Sequence, residues 1–257
     1  MPLPSFTAPL IELQSVDSTN NYARQLIETC RLTEGQPLPE EGTAVFAHEQ
    51  LNGKGQRGKN WASQKETNIA LSILVNPGFL PITRQFELSA CAAVAAHRFF
   101  ANYAGTDTRI KWPNDLYWQD RKAGGILIEN IVGTGGLWNW AIVGIGININ
   151  QSVFADDLPN PVSLLQITGK EYEPLVLAKE LRQIFLEGYY NLKTDGFGNI
   201  YSAYNKYLYK AGKKVVLKKE CRSFEATVKY VTPSGKLSVY TSSEEEYDFG
   251  EVEWIIK

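Results

Sequence analysis

Cysteine is scarce and scattered: Cys30, Cys91 and Cys221 are three residues with no close spacing. Such a set is neither a disulfide framework nor a zinc cluster, and it fits a reducing compartment. A basic excess is missing too. The formal net charge is −2, which argues against bulk nucleic-acid binding. No apolar run approaches the roughly 18–20 residues needed to cross a bilayer. The opening MPLPSFTAPL lacks the cationic-then-apolar pattern of a secretory signal. A cytoplasmic protein is the expectation. What remains is an ordinary globular composition, 44% hydrophobic and 21% charged over 257 residues, enough for a sizeable core.

Leu10–Val16 reads as a strand, and Asp17-Ser18-Thr19-Asn20 offers N-caps for a helix carrying Tyr22, Leu26 and Cys30. Glu34–Gly42 is a loop, and Thr43–His48 and Asn68–Val75 read as strands. Arg84–Tyr103 is alanine-rich, free of glycine and proline, and predicts a helix burying Phe86, Val94 and Phe100. Arg109–Trp112 is extended ahead of Pro113. Ile126–Val132 and Leu137–Ile149 form a strand pair joined by Gly133–Gly136, and helices follow at Pro174–Leu192 and Gly198–Lys210. From Ala211 the texture changes to short strands at Val215–Leu217, Phe224–Val231, Leu237–Tyr240 and Glu253–Ile256, the pattern of a small β-barrel packed on the main body. The irregular interleaving predicts an α+β fold with a mixed or antiparallel sheet, rather than a βαβ alternation.

Within this frame Glu49–Trp61, EQLNGKGQRGKNW, combines Gly53, Gly55 and Gly58 with Lys54, Gln56, Arg57 and Lys59. Clustered cations on a permissive backbone predict a loop that closes around an anion. It satisfies a dinucleotide fingerprint and a G-x-x-x-x-G-K phosphate loop on paper. Both need a helix directly afterwards, and Asn60–Gln64 leads instead to a strand, so both are set aside. An exposed basic turn without a ligand is the bland alternative.

Three further stretches carry chemistry. Lys111-Trp112-Pro113-Asn114-Asp115 and Arg121-Lys122-Ala123-Gly124-Gly125 set two lysines around an Asn-Asp turn, which suits a nucleoside triphosphate and its metal. A hairpin with solvated charges is the alternative. Gly144-Ile145-Gly146-Ile147-Asn148 places two glycines in an apolar strand, a sign of close approach to ligand or to another backbone. Ser18-Thr19-Asn20 is explained by capping, which is preferred here over ligand binding.

Taken together in this order, Ser18-Thr19-Asn20, the Glu49–Trp61 loop, KWPND at 111–115, RKAGGIL at 121–127 and GIGIN at 144–148 resemble the biotin–protein ligase family over nearly the whole chain. The resemblance implies a class II aminoacyl-tRNA synthetase/biotin synthetase-like catalytic domain over 1–210 and an SH3-like barrel over 211–257. It implies an ATP-dependent ligase forming a C–N bond: biotin and MgATP give biotinyl-5′-AMP, and biotin passes to one lysine of a biotin carboxyl carrier protein. By carry-over, Ser18, Thr19, Gln50, Gly53, Lys54, Lys122, Gly125, Gly144 and Gly146 would bind biotin. Gln56, Arg57, Gly58, Lys59, Trp61, Asn114, Asp115 and Asn148 would bind the nucleotide. Lys122, Lys111 and Arg57 would be catalytic, with Asp115 the candidate Mg2+ contact.

Two departures from the family's usual GRGRRGR stand in the loop: Lys54 keeps a charge but loses the planar fork, and Gln56 loses the charge. The expectation is weaker retention of the adenylate. Only about 17 residues precede Ser18, too few for a helix-turn-helix, so no DNA partner is expected. No membrane partner is expected, and a homodimer is left open. The rivals are a lipoate–protein ligase or octanoyltransferase of the same fold, and a non-catalytic biotin or adenylate sensor.

Overall fold

A computed structural model describes residues 7–33, 35–156 and 158–256; the lead before Thr7 and Glu34 of the first expected loop lie outside them. The larger part of the chain is built on one mixed sheet. In chain order it comprises β1 (Leu10–Leu13), α1 (Thr19–Leu32), β2 (Ala44–Ala47), β3 (Asn68–Val75), α2 (Gln85–Ala104), β4 (Thr108–Lys111), β5 (Asp115–Trp118), β6 (Arg121–Val132) and β7 (Trp138–Asn148). Then follow α3 (Leu164–Thr168), α4 (Pro174–Asp195) and α5 (Gly198–Lys206). The seven strands run β1-β2-β3-β7-β6-β5-β4, with β1 and β2 parallel and every other neighbour antiparallel.

The sheet has two unlike faces because strand side chains alternate. On one, Leu71, Ile73, Val143 and Ile145 join Leu88 and Phe99 of α2 and Leu181 and Phe185 of α4 in the main core. Burying a Leu, Ile or Phe side chain is worth roughly 1.5–3 kcal/mol, so this face carries the fold. On the other, α1 covers only part of the sheet, through Ala23 and Ile27 against Val45, Leu74 and Ile142. The uncovered part becomes the candidate site.

A second sheet is made by β8 (Lys214–Lys219), β9 (Arg222–Val231), β10 (Leu237–Tyr240), β11 (Glu244–Tyr247) and β12 (Glu253–Ile255). Its order is β11-β10-β9-β8-β12, antiparallel throughout. It is docked on the main body. The buried Trp112 indole donates to the Gly235 carbonyl at 2.9 Å, and Asn205 makes both backbone bonds to Val231, at 2.7 and 3.1 Å.

Several boundaries differ from expectation. β1 stops at Leu13, since Val16 leaves β2 to bond the start of the glycine loop: its N–H donates to Glu49 O at 3.1 Å and its carbonyl accepts from Leu51 N at 2.8 Å. α5 ends at Lys206, because Tyr207 and Tyr209 leave the helix to bond Ile110 on the exposed edge of β4. β6 begins at Arg121, five residues early, because it pairs with β5, a strand not expected at all. Strand β11 and the five-residue α3 are also additional.

Candidate active site

Side chains that share the uncovered face fall in rows across the sheet. Ala70, Gly146, Gly125 and Asp115 form one row; Ser72, Gly144 and Leu127 the next; Leu74, Ile142 and Glu129 the third. The first row is nearly without side chains until it reaches Asp115, so it makes a shallow trough ending at a carboxylate. The glycines are required by what lies over them. A methyl at Gly144 would overlap the Asn20 carboxamide, and one at Gly146 would sit 2.6 Å from the Trp61 ring.

At the α1 end the trough is closed by neutral groups. Ser18, Thr19, Asn20 and Ser72 are all buried. Ser18 occupies the N-cap position but makes no side-chain capping bond. Thr19 donates to Gln50 Oε1 from its backbone (2.8 Å) and its hydroxyl (3.1 Å). Ser72 Oγ lies 2.7 Å from Thr19 Oγ1 and 2.6 Å from Asn20 Oδ1. Asn20 Nδ2 donates to Glu129 Oε2 at 2.8 Å. Side-chain capping by Ser18-Thr19-Asn20 is therefore not made: Ser18 holds the N-cap position without a side-chain bond, and the Thr19 and Asn20 side chains bond Gln50, Ser72 and Glu129 as a polar wall.

At the other end the groups are charged. The Lys122 ammonium lies 2.7 Å from one Asp115 oxygen and the Lys111 ammonium 3.9 Å from the other. Burial pulls the Lys111 ammonium below the usual lysine range; Asp115 opposes this, and Lys122 and Lys59 add to it. Lys111 also sits over the rings of Tyr117 (5.3 Å) and Trp254 (5.5 Å), so the second sheet helps hold it. Asn114 donates to the Ile126 carbonyl, one residue past the last β5–β6 pair. Mutual repulsion of cations around one carboxylate leaves this end with an appetite for anionic oxygens.

The glycine loop spans the two ends. Gly55 N donates to Lys59 O (2.6 Å) and Trp61 N to Gly53 O (2.8 Å), which folds it back on itself, and no helix follows beyond the single turn Gln56–Gly58. Arg57 and Gly58 sit at its tip in left-handed conformation, φ 55° and 76°. Gln56 Nε2 donates to Ile126 O at 3.3 Å, while Gln56 Oε1 and Trp61 Nε1 are buried without partners among the described residues.

Of the residues named from sequence, Thr19, Gln50, Gly53, Gly125, Gly144, Gly146, Gln56, Trp61, Lys111, Asn114, Asp115 and Lys122 line or floor this one trough. Lys54 turns to Asn21 and stands 3.9 Å from Glu129. Arg57 points away, donating to Gly250 O (3.2 Å) with Phe249 5.7 Å beneath it. Asn148 bonds the Val162 carbonyl at 3.1 Å, supporting the backbone behind Lys122. Asp115 is engaged by the lysines, and no cluster of three or more metal-ligating side chains occurs among the described residues. Ser72 and Glu129 were missed. Their signal was available: each is the lone polar or lone charged residue in an apolar strand run, Ile69–Val75 and Ile126–Val132.

An open depression of about 440 Å³ lies elsewhere, lined by Glu41, Asn76, Phe79, Trp140 and Lys193 among others. Glu41 is already engaged there by Tyr189 and the Asn76 N–H. It gathers none of the glycine or lysine motifs.

The sequence model of the Biotin/lipoate A/B protein ligase family matches residues 13–148, a span that holds all of these motifs. A biotin–[acetyl-CoA-carboxylase] ligase of Paracoccus denitrificans is 29% identical over 88% of this chain and 91% of its own. The bifunctional ligase/repressor BirA of Bacillus spizizenii is 33% identical over 65% of this chain and 52% of its own, so the chain spans about half the length of such relatives. Among solved structures, the biotin protein ligase of Aquifex aeolicus in complex with biotin and ATP superposes with TM-score 0.79 at 25% identity, covering 98% of this chain and 100% of that one. A neutral hydrogen-bonding wall, a glycine floor and a cationic end, met by these likenesses, lead to one conclusion: the chain belongs to the biotin/lipoate A/B protein ligase family.

Proposed function

We propose that the protein is a biotin–protein ligase. The observation that carries this is the polarity of the trough: neutral donors and acceptors at Thr19 and Gln50, cations at Lys111 and Lys122, and a nearly bare floor between them. Biotin has the complementary shape, an uncharged ureido ring, an apolar chain and a carboxylate. A lipoyl chain offers nothing to bond at the neutral end, where leaving buried polar groups unmatched is costly.

In the first step a biotin carboxylate oxygen attacks the α-phosphorus of ATP, and the bond to pyrophosphate breaks. Lys122 is assigned to the carboxylate and α-phosphate oxygens and Lys111 to the phosphates, because two anions meet only where fixed cations offset their repulsion. Asp115, paired with the two lysines, is the carboxylate that would meet the Mg2+ accompanying ATP, which would supply further charge to the phosphates. In the second step the neutral amine of a carrier lysine attacks the anhydride carbonyl, the bond to phosphate breaks, AMP leaves and the amine proton passes to solvent. No covalent enzyme intermediate is needed. The loop over Gly146, with Trp61, shields the anhydride from water.

The carrier is assigned as the biotin carboxyl carrier domain of a biotin-dependent carboxylase, in line with the activity in the name of the Paracoccus denitrificans relative. The main sheet is assigned to a class II synthetase-like catalytic domain, residues 1–210, and the five-stranded sheet to an SH3-like domain, 211–257. Ser18, Thr19, Gln50, Gly53, Lys54, Lys122, Gly125, Gly144 and Gly146 are the proposed biotin residues. Gln56, Gly58, Lys59, Trp61, Asn114 and Asp115 are assigned to the nucleotide, with Arg57, turned to Gly250 in the structure, joining them on loop closure and Asn148 acting through the backbone behind Lys122. The test is ATP–pyrophosphate exchange, with biotin, with lipoate and with neither. Biotin-dependent exchange that collapses in Lys122→Ala supports the reading; exchange driven by lipoate, or none with either acid, removes it.

A further inference from the structure

Glu129 belongs to none of the motifs read above, yet it joins the two structures that close the neutral end. It stands on β6 in the row of Leu74 and Ile142, on the same face as the glycine floor. One carboxylate oxygen accepts from Asn20 Nδ2 at 2.8 Å. The other lies 3.5 Å from the Arg24 guanidinium and 3.9 Å from the Lys54 ammonium. Lys54 in turn donates to Asn21, whose own amide donates to Asp17. The α1 N-terminus, β6 and the glycine loop are thus tied by one carboxylate, only 22% exposed.

The chemistry of the Asn20 carboxamide makes this consequential. An amide has one accepting and one donating end, and only its partners decide which way it faces. An ionised carboxylate can only accept, so Glu129 fixes the NH2 toward itself and the oxygen toward Ser72, over Gly144. Ser72 must then donate to one of two oxygens, Asn20 Oδ1 or Thr19 Oγ1, and Thr19 shares Gln50. The orientation of the Asn20 carboxamide, and with it the Asn20–Ser72 side of the wall, follows from the charge on one side chain. We infer that Glu129 is a positioning residue: it sets the donor and acceptor pattern of the biotin-facing wall and anchors the Lys54 end of the loop to the sheet.

The wall half rests on the ligase reading; the anchoring half does not, and the test separates them. Hydrogen–deuterium exchange of the ligand-free protein reads the anchor. Glu129→Ala speeds exchange across residues 53–61 by roughly two- to fivefold, the consequence of losing a partly exposed ion pair, while β3 and β7 keep their protection. Lys54→Met does the same, and the double variant adds nothing to either. Glu129→Gln keeps the shape but loses the charge and the enforced direction. It loosens the loop less than alanine does. For the wall, biotin-dependent pyrophosphate exchange splits the constants: in Glu129→Ala the KM for biotin rises roughly tenfold or more with the KM for ATP held within about twofold. Unchanged protection of 53–61 overturns the proposal, as does an equal rise in both constants or a biotin KM that stays put. If the wild type shows no biotin-dependent exchange, the ligase reading fails, and the loop's deuterium exchange alone decides the anchor.

Discussion

The two ends of the trough solve recognition by opposite means. At the α1 end, buried Ser18, Thr19, Asn20 and Ser72 carry no charge, and most of their polar atoms are matched before a ligand arrives. At the β5–β6 end, Lys111 and Lys122 flank a single carboxylate, and burial, with smaller repulsion from Lys122 and Lys59, lowers the Lys111 ammonium. A preformed neutral wall discriminates by shape and donor pattern, because a misfit leaves a buried group unpaired. A repulsive cationic cluster instead stores stabilisation for a charge that develops during reaction. The first governs which acid enters; the second governs how fast it reacts.

The sharpest way to break this division is Lys122→Ala. If the cationic end acts on the transition state, pyrophosphate exchange falls about 10²–10³-fold in kcat, roughly 3–4 kcal/mol, while the KM for biotin moves little. A variant that loses biotin affinity instead would show that Lys122 serves ground-state binding, and the division would collapse. The mirror experiment is at the wall. Thr19→Val removes the hydroxyl that meets Gln50 and Ser72, and the expected result is a KM for biotin raised about tenfold with kcat nearly kept. Steady-state exchange kinetics report both.

The ends should also separate by pH. Lys111 is held below the ordinary lysine range by burial, so it gives up its proton at lower pH than an exposed lysine would. Exchange therefore declines on the alkaline side earlier than free lysine chemistry predicts. Lys111→Arg, which stays protonated, moves that alkaline limb upward even if the plateau rate drops. Binding of biotin alone, measured by calorimetry over the same range, falls less steeply than exchange, since Thr19 and Gln50 hold the neutral end without titrating. A biotin affinity that follows the same alkaline limb would couple the two ends.

How much of this could be read beforehand depended on how local the cause was. β3 was legible to the residue because seven apolar and small residues follow Asn68 up to a clear turn signal, and α2 because alanine dominates a stretch without breakers. β11 was not: Glu244-Glu245-Glu246-Tyr247 reads as solvated charge, and only pairing with β10 at the sheet edge makes it a strand. β5 is four residues between a proline and a turn, specified by its neighbours. The candidate site divides in the same way. KWPND and the glycine loop carry their chemistry in consecutive residues, whereas the wall is assembled from α1, β3, β6 and the loop, and no short window contains it. Ser72 and Glu129 mattered because of which face they share with Gly144, a fact fixed by register.

Gln56 gives the smallest expected effect and the finest probe, since it lies where the loop meets the cationic end. Its amide nitrogen bonds the Ile126 carbonyl that Asn114 also bonds, so the side chain acts as a neutral latch between loop and sheet. Its oxygen is buried without a partner among the described residues. An arginine here has enough donors to keep the Ile126 bond and still direct others at phosphate oxygens. The latch would then also be a charge on the adenylate. Gln56→Arg is accordingly expected to slow dissociation of preformed biotinyl-5′-AMP several-fold, within the range of one added charge-assisted hydrogen bond, with the KM for biotin unchanged because the wall is untouched. Release of radiolabelled adenylate in a chase measures this directly. An unaltered release rate would mean that the loop retains the adenylate by closure alone, with the cations at Lys111 and Lys122 already supplying all the charge the phosphate needs.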